Sequence, residues 1–390
     1  MKKLAWIHSH FYNWMGGTKF ILEVVKRLKK DMEVEIFIQN GNPEYIAKFE
    51  KEWIVVNNLH SLSTNSSIFW AFLPFFCWRD AKKLQILLEK GGFDSVMTSM
   101  FPMNYIATKL HGFRIFQYCY EPFSFFWDDR MIRHFSFFYR LFLMVLKFFY
   151  GGLDRKGATR NDKIFTLSEI TQRQILEVYG KDSVYTYEGV DTTFFKSTKK
   201  KEIFDKYGDN RIIMHCTDFT PIKRTDLAFR VLPLLVKKYP NIKLLITHTL
   251  SNLWEKAKYE KLAKSLWVAN HYEFLGFVDY ELLPAYYTLA DVVIQPSVNQ
   301  PQSLPVKEAL ACETPVVRWW EESVEFTSED HCGFVVNSEN LEELYSAIDS
   351  ILSMSGEEYK KMGKNGRNLV EKKFSWDAIA HLIHKNIQDV

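Results

Sequence analysis

Three short stretches of this sequence place glycines, cations and carboxylates where a strand hands over to a helix, the position at which α/β chains bind ligands. The first is Trp14-Met15-Gly16-Gly17-Thr18. Adjacent glycines let the backbone approach a ligand closely, and the helix that follows offers unpaired N–H groups and a positive dipole end to a phosphate or a sugar hydroxyl. An ordinary tight turn would have the same composition. The second is TDFTPIKRTDL at 217–227, with Lys223 and Arg224 at a helix start. Cations are electrostatically misplaced there, so an anionic ligand, above all a diphosphate, would relieve the conflict; two solvated surface cations are the alternative. The third is PSVNQPQSLPVKEALACETPVV at 296–317. Here a strand runs into a polar loop, a helix opens near Leu304, and Glu308 lies about one turn in, where its carboxylate can accept hydrogen bonds from a ribose diol. A lone glutamate on a helix is otherwise a surface residue.

The elements that must carry these stretches follow from hydrophobic periodicity. Residues 4–7 read as a strand, 8–17 as a polar loop ending in glycine, and Phe20, Ile21, Val24, Val25 and Leu28 recur at helical spacing. Further strands are expected at 34–38, 95–98, 115–118, 164–167 and 183–187, with helices between most of them. The pattern breaks at 196–201 (KSTKKK), a linker or domain edge, and then restarts. Strands are expected at 212–216, 242–247, 271–275, 292–295 and 315–318. The helices there fall at 225–238, from 254, at 280–290 and at 304–312, and the tail holds helices at 341–352 and 357–372 and an amphipathic stretch at 376–387. Alternating strands and helices predict an α/β chain of two doubly wound, parallel-sheet domains, with a ligand cleft at the carboxyl ends of the strands.

Composition narrows the function. A chain of 390 residues has room for two domains at roughly 150 residues each, and 47% hydrophobic with 25% charged residues describes an ordered globular protein. A net charge of +3 is far from that of a dedicated nucleic-acid binder, so no nucleic-acid partner is expected. Five cysteines without a CxxC pair or a metal-ligand spacing point to a reducing compartment. The N-terminus MKKLAWIHSH has no signal-peptide core, so a cytoplasmic location is expected. Neither a GxGxxG fingerprint nor a GxxxxGK[ST] loop is present, which argues against dinucleotide-dependent hydride transfer and ATP hydrolysis.

Aromatic residues reach 16%, with 32 phenylalanines, and they cluster. Residues 68–78 (IFWAFLPFFCW) are apolar but contain Pro74, and they fall short of the ~20 residues that a spanning helix needs. Residues 134–150 (HFSFFYRLFLMVLKFFY) form a longer aromatic helix on which Arg133, Arg140 and Lys147 recur every seven residues. Such a basic, aromatic helix suits a membrane surface; a buried packing helix with charged ends would also read this way.

Taken together, these stretches resemble glycosyltransferase family four, the retaining nucleotide-sugar transferases of GT-B fold. Residues 300–317 resemble its pair of glutamates separated by seven residues around a Gly-rich loop, followed by "E-A-hydrophobic-A-x-x-x-P-V-V", with Glu308 as the second glutamate. Residues 218–227 resemble its "R-x-x-P-x-K-R-x-D-L" phosphate-binding stretch, with Lys223 at the lysine. FLGF at 274–277, LPAYY at 283–287, ADV at 290–292, GVDTTFF at 189–195 and FSW at 374–376 agree as well. Tyr118-Cys119-Tyr120-Glu121-Pro122, Trp127-Asp128, Leu153-Asp154 and Asn161-Asp162 look like the subgroup with many polysaccharide mannosyl- and rhamnosyltransferases.

The resemblance implies an acceptor-side domain at 1–192, with 375–390 packing back on it, and a donor-binding domain at 193–374. It implies Lys223, Gln300, Tyr120 and Glu121 at the catalytic centre; Lys223, Arg224, Gln302, Ser303, Leu304 and Glu308 on the nucleotide diphosphate; and Gly16, Gly17 and His10 on the acceptor side. The co-substrate would be a nucleoside diphosphate sugar, with no metal and no other cofactor. The acceptor would be a glycan or lipid-linked glycan, reached through peripheral membrane contact by residues 133–150 at the inner face of the membrane. Three departures stand out: Gln300 replaces the first glutamate, Asp218 an arginine, and Tyr120 a histidine. Gln300 can hydrogen-bond a sugar but brings no negative charge, and Asp218 would repel a diphosphate unless it turns away, leaving Arg224 to supply the missing cation. Two rival readings account for these changes: a catalytically silent sugar-nucleotide or glycan binder, and a structural partner in a membrane glycan assembly complex.

Overall fold

The structure, a computed structural model, describes residues 2–12, 16–62, 66–128, 132, 137–220, 223–248, 253–297, 303–319, 325–337 and 340–389. The chain divides into two compact units, one of Met1–Tyr187 with Trp376–Val390, the other of Glu188–Ser375.

In the first unit seven parallel strands, β1 (Lys3–Phe11), β2 (Glu33–Gly41), β3 (Val56–Asn58), β4 (Ser95–Thr98), β5 (Arg114–Tyr118), β6 (Lys163–Thr166) and β7 (Val184–Tyr185), lie in the order β3-β2-β1-β4-β5-β6-β7. The chain starts in the middle, builds outward to β3, then returns to lay β4 on the other side of β1. That reversal opens a crevice at the carboxyl ends of β1 and β4. Alternate residues of β1 serve opposite faces: Leu4 and Trp6 join the core under the helix Gly16–Leu28, while Ala5 and Ile7 join the core under the helix Leu73–Gly91. The closing helix Trp376–Gln388 lies on the former face, burying Trp376, Ile379, Ala380 and Ile383. Arg27 Nε and Lys30 Nζ hold its first turn through Asp377, at 3.0 and 2.9 Å.

The expected loop at 8–17 is shorter than its polarity suggested. Because β2 runs on to Gly41, His8, His10 and Phe11 find pairing partners opposite it and continue the strand. Gly16 and Gly17 are the first turn of the following helix rather than loop residues. Strand β3 was not expected; its VNN sequence carries no apolar alternation. Pro74 falls in the first turn of the helix Leu73–Gly91, where its missing N–H costs nothing, so 68–78 is split between that helix and the short helix Ser67–Ala71.

In the second unit six parallel strands, β8 (Arg211–Thr217), β9 (Ile242–His248), β10 (Tyr272–Gly276), β11 (Val292–Gln295), β12 (Val316–Trp319) and β13 (Gly333–Val336), lie in the order β10-β9-β8-β11-β12-β13. The helices Thr225–Lys238 and Leu341–Leu352 occupy the expected residues, whereas 357–372 is the helix Gly356–Leu369 followed by a π turn at Val370–Phe374. Residues 188–195 are tied into this unit: the Val190 amide donates to the Phe374 carbonyl at 2.8 Å, and Arg367 donates to the Thr192 and Phe195 carbonyls at 2.8 and 2.6 Å. All five cysteines are buried and free.

Candidate functional site

The carboxyl ends of β8, β9 and β10 surround a cavity of about 310 Å³. Lys223 and Glu308, from two stretches more than eighty residues apart in sequence, line it together with Asp218, His248, Tyr287 and the Gly276–Phe277 backbone.

A hydrogen-bond chain explains how the loop before Lys223 is shaped. His215 Nε2 lies 3.1 Å from Thr225 Oγ1, Thr225 Oγ1 lies 2.8 Å from Thr217 Oγ1, and Thr217 Oγ1 accepts the Phe219 amide at 2.9 Å. The strand end is thus fastened to the start of the next helix. Phe219 and Arg224 both take left-handed backbone (φ 61° and 46°), a conformation that non-glycine residues adopt only when their surroundings hold it. Burial pushes the Lys223 ammonium below its usual range while the charge of Asp218 counteracts. Burial also pushes the Asp218 carboxyl up, but hydrogen bonds from the Thr220 hydroxyl and amide outweigh it and leave the group below its ordinary value. Asp218 is therefore an ionised carboxylate on the cavity wall.

Arg224 is placed differently from Lys223. It does not line the cavity; its guanidinium pairs with Asp226, 3.1 Å from Nε, and lies 5.2 Å from the Trp319 ring centroid. The misplaced cation at this helix start is answered by an acid in the helix's own first turn.

Glu308 is 8% exposed, and its Oε2 accepts the Tyr287 hydroxyl at 2.8 Å. The helix Leu304–Ala311 that carries it opens with Pro305 in its first turn and is anchored by ion pairs that sequence reasoning missed. The Ser303 amide donates to the Glu325 carboxylate, which also pairs with Arg318 at 2.7 Å, both acid and base fully enclosed. Lys307, fully buried beside Glu308, donates to the Glu188 carbonyl at 3.2 Å; burial pushes its ammonium down, with Glu188 and Glu325 counteracting. Ser303 and Leu304 are not part of the cavity wall. Gln300 and Gln302 lie outside the described residues.

On the first unit, Tyr120 donates its hydroxyl to the Gly17 carbonyl at 3.1 Å, and Glu121 next to it is exposed. Burial pushes the Tyr120 phenol well up, so it stays a neutral donor. A Cβ at Gly16 would meet no protein atom within 4 Å, and one at Gly17 only the Tyr120 ring at 3.6 Å. The fold itself therefore does not require either glycine; both keep the helix start bare. His10 is half-buried next to the end of β1, its Nδ1 2.9 Å from Ser9 Oγ and its ring stacked on Tyr12 with centroids 4.9 Å apart. Burial lowers its imidazole pKa. Among the described residues no group of three or more His, Cys, Asp or Glu side chains is arranged to hold a metal ion.

Two doubly wound parallel sheets of these topologies define a GT-B fold, and solved structures agree. A glycosyltransferase from Rickettsia africae matches with a TM-score of 0.73 at 21% identity, over 99% of each chain. HepE of Anabaena, solved in complex with UDP, matches with a TM-score of 0.72 at 15% identity, over 100% of each chain. Residues 196–369, within the second unit, match the family described as Glycosyl transferases group 1. An uncharacterized glycosyltransferase of Methanocaldococcus jannaschii is 29% identical over 234 residues, 56% of this chain and 57% of that protein. A GDP-mannose-dependent alpha-(1-6)-phosphatidylinositol monomannoside mannosyltransferase of Mycolicibacterium smegmatis is 25% identical over 229 residues, 55% of this chain and 59% of that protein. The chain thus spans less than two thirds of the length of these relatives.

Proposed function

We propose that this protein transfers a sugar from a nucleoside diphosphate sugar to a hydroxyl of a glycan or lipid-linked glycan, with retention at the anomeric carbon. The observation that carries this reading is the meeting of Lys223 and Glu308 in one cavity at the carboxyl ends of β8 to β10, inside the segment that matches the transferase family. The UDP named with HepE supports a nucleotide as the ligand class. In this reading Glu308 accepts the ribose hydroxyls, its orientation fixed by Tyr287. Lys223 faces the diphosphate, whose negative charge grows as the glycosidic bond breaks. A preorganised cation stabilises that developing charge more than it stabilises the bound donor. Arg224 adds positive potential, Gln300 holds the donor sugar, and Gln302, Ser303 and Leu304 contact the nucleotide diphosphate. The reading assigns the leaving-group charge to these cations and needs no metal. Tyr120, Glu121, His10, Gly16 and Gly17 form the acceptor side, and residues 133–150 touch the cytoplasmic face of a membrane.

Thermal shift with UDP, GDP, ADP and dTDP, followed by NMR of the sugar released or transferred from the matching donor, tests the proposal. A shift with at least one nucleotide, and a product with the donor's anomeric configuration, is expected. No shift with any of them, or an inverted product, would overturn it. The ionised Asp218 on the cavity wall favours one second reading, a donor-binding protein without turnover. A nucleotide shift with neither transfer nor donor hydrolysis would select it.

A further inference from the structure

The first unit holds a second, larger cavity of about 580 Å³, within the size range of small-ligand sites. Trp70, Phe101, Phe123, Phe142 and Leu143 form much of its wall, and His10 supplies an imidazole. Met100, two residues past β4, and His10, near the end of β1, place it at the crevice where the sheet order reverses. The cavity lining is therefore mostly apolar, with His10, Ser67 and Tyr139 as its polar members.

Its outer surroundings are unusual for a protein surface. On the helix Phe137–Thr159, Phe137, Phe138, Phe148 and Phe149 are 66%, 81%, 84% and 64% exposed, and Phe142 of the cavity wall is 43% exposed. On the helices Ser67–Ala71 and Leu73–Gly91 and at the residue between them, Ile68, Phe72, Phe75 and Trp78 are exposed as well. The charges among these apolar side chains are mostly positive. The two long helices carry Arg79, Lys82, Lys83, Lys90, Arg140, Lys147, Arg155 and Lys156; of their acids, Asp80 and Asp154 are buried, leaving Glu89 alone at the surface. Cations also sit directly against the aromatics: Lys82 lies 4.0 Å from the Trp78 ring centroid and Lys147 4.6 Å from that of Trp127. An exposed apolar face bordered mostly by cations is complementary to an amphiphile that joins hydrocarbon to an anionic head.

We infer that this cavity takes the hydrocarbon segment of a phosphate-bearing acceptor lipid, with the phosphate met by the cations of the two long helices and the polar end directed toward His10. The inference rests on the glycosyltransferase reading for the word acceptor, and it names the acceptor's class. The cavity belongs wholly to the first unit and the nucleotide cavity wholly to the second, so the two can fail separately.

The test is isothermal titration of the whole chain with monomeric farnesyl phosphate and oleoyl lysophosphatidate, which distinguish a prenyl from an acyl source, and with farnesol as the uncharged control. At least one phosphorylated amphiphile should bind, and farnesol should bind at least ~10-fold more weakly. Leu143→Trp, which fills the cavity, and Phe142→Glu, which places a like charge at its partly exposed wall, should each weaken binding by ~10-fold or more while keeping the parent's thermal shift with UDP. Phe142→Glu retains the test if the buried Leu143→Trp change does not fold. Binding of neither amphiphile, equal binding of farnesol, or undiminished binding by the folded variants would overturn the inference. Amphiphile binding with no nucleotide shift in the parent protein would leave this site standing and remove the nucleotide reading instead.

Discussion

At the scale of single residues, the pairing of Asp218 with Lys223 gives the sharpest test of where a diphosphate lies. If Lys223 meets the leaving group, the ionised Asp218 repels the same ligand across the cavity. Asp218→Asn should then tighten nucleoside diphosphate binding by about 1 kcal/mol, several-fold in Kd, by titration calorimetry. Unchanged affinity would place the diphosphate elsewhere. Glu308→Ala should weaken nucleotide binding by about 1.5–3 kcal/mol, the worth of a charged hydrogen bond. Tyr287→Phe should cost less, because it frees the carboxylate without removing it, and the reverse ranking would make Tyr287 the ligand. Lys223 and Glu308 were legible in the sequence because each stands at a fixed offset from a strand-to-helix junction. Tyr287, Arg318 and Glu325 were not. Tyr287 reaches Glu308 across 21 positions, and Glu325 reaches back over 22 to the Ser303 amide. Such partnerships are decided by how the helices and loops pack, and no local pattern announces them. Arg224 shows the opposite limit: its position at a helix start was read correctly, but the acid that answers it stood only two residues away.

At the scale of elements, two buried histidines occupy corresponding places. His8 lies near the end of β1 and His215 near the end of β8, the central first strand of each sheet. Burial pushes their imidazoles down to about 3 and about 4. Both pKa values are lower folded than the ordinary 6.5, so the unfolded chain takes up protons first, and stability is lost as pH falls from about 6.5 to about 4 for His215 and about 3 for His8. Each histidine should cost roughly 2 kcal/mol between pH 7 and pH 5. Urea unfolding at both pH values, with His8→Gln as comparison, checks this; an equally steep decline in the variant would exclude His8 as a source. A second device is Asp154 on the helix Phe137–Thr159, which accepts Asn104 Nδ2 at 2.9 Å, Trp127 Nε1 at 2.7 Å and the Tyr179 hydroxyl at 2.8 Å. It joins three other helices to the one that carries the exposed aromatics. Asp154→Ala leaves three donors without that acceptor and should destabilise the first unit by about 3 kcal/mol or more in the same assay. A loss below about 1 kcal/mol would mean that the helices hold one another by packing alone. Asp154 and Trp127 were noticed in the sequence only as part of a resemblance; the structure gives their proximity a mechanical reason.

At the scale of the whole molecule, most of the two-sheet architecture was legible because buried parallel strands leave short apolar runs between helices of 3.6-residue period. The exceptions, β3 and β13, are edge strands of three and four residues, too short and too weakly patterned to stand out. Whether the aromatic helix was core or surface could not be read from periodicity, since apolar residues cover most of its circumference. The structure leaves Phe137, Phe138, Leu141, Phe148 and Phe149 exposed, while Leu143 and Leu146 are buried. Arg133 lies outside the described residues, so Arg140 and Lys147 remain of the expected basic stripe. No helix among the described residues is long and apolar enough to cross a membrane. What such a face can do is enter the headgroup boundary, each inserted phenylalanine contributing up to about 1.5–3 kcal/mol and each nearby cation about 1 kcal/mol on an anionic leaflet. The protein should therefore sediment with vesicles containing phosphatidylglycerol at low salt, less with phosphatidylcholine alone, and less again as salt screens the cations. Changing Phe138, Phe148 and Phe149 together to serine should release it even at low salt, because those side chains are mostly solvent-exposed and their removal spares the core. Undiminished sedimentation of that variant would assign the attraction to charge alone, and no sedimentation of the parent at low salt would remove the membrane from the proposed function.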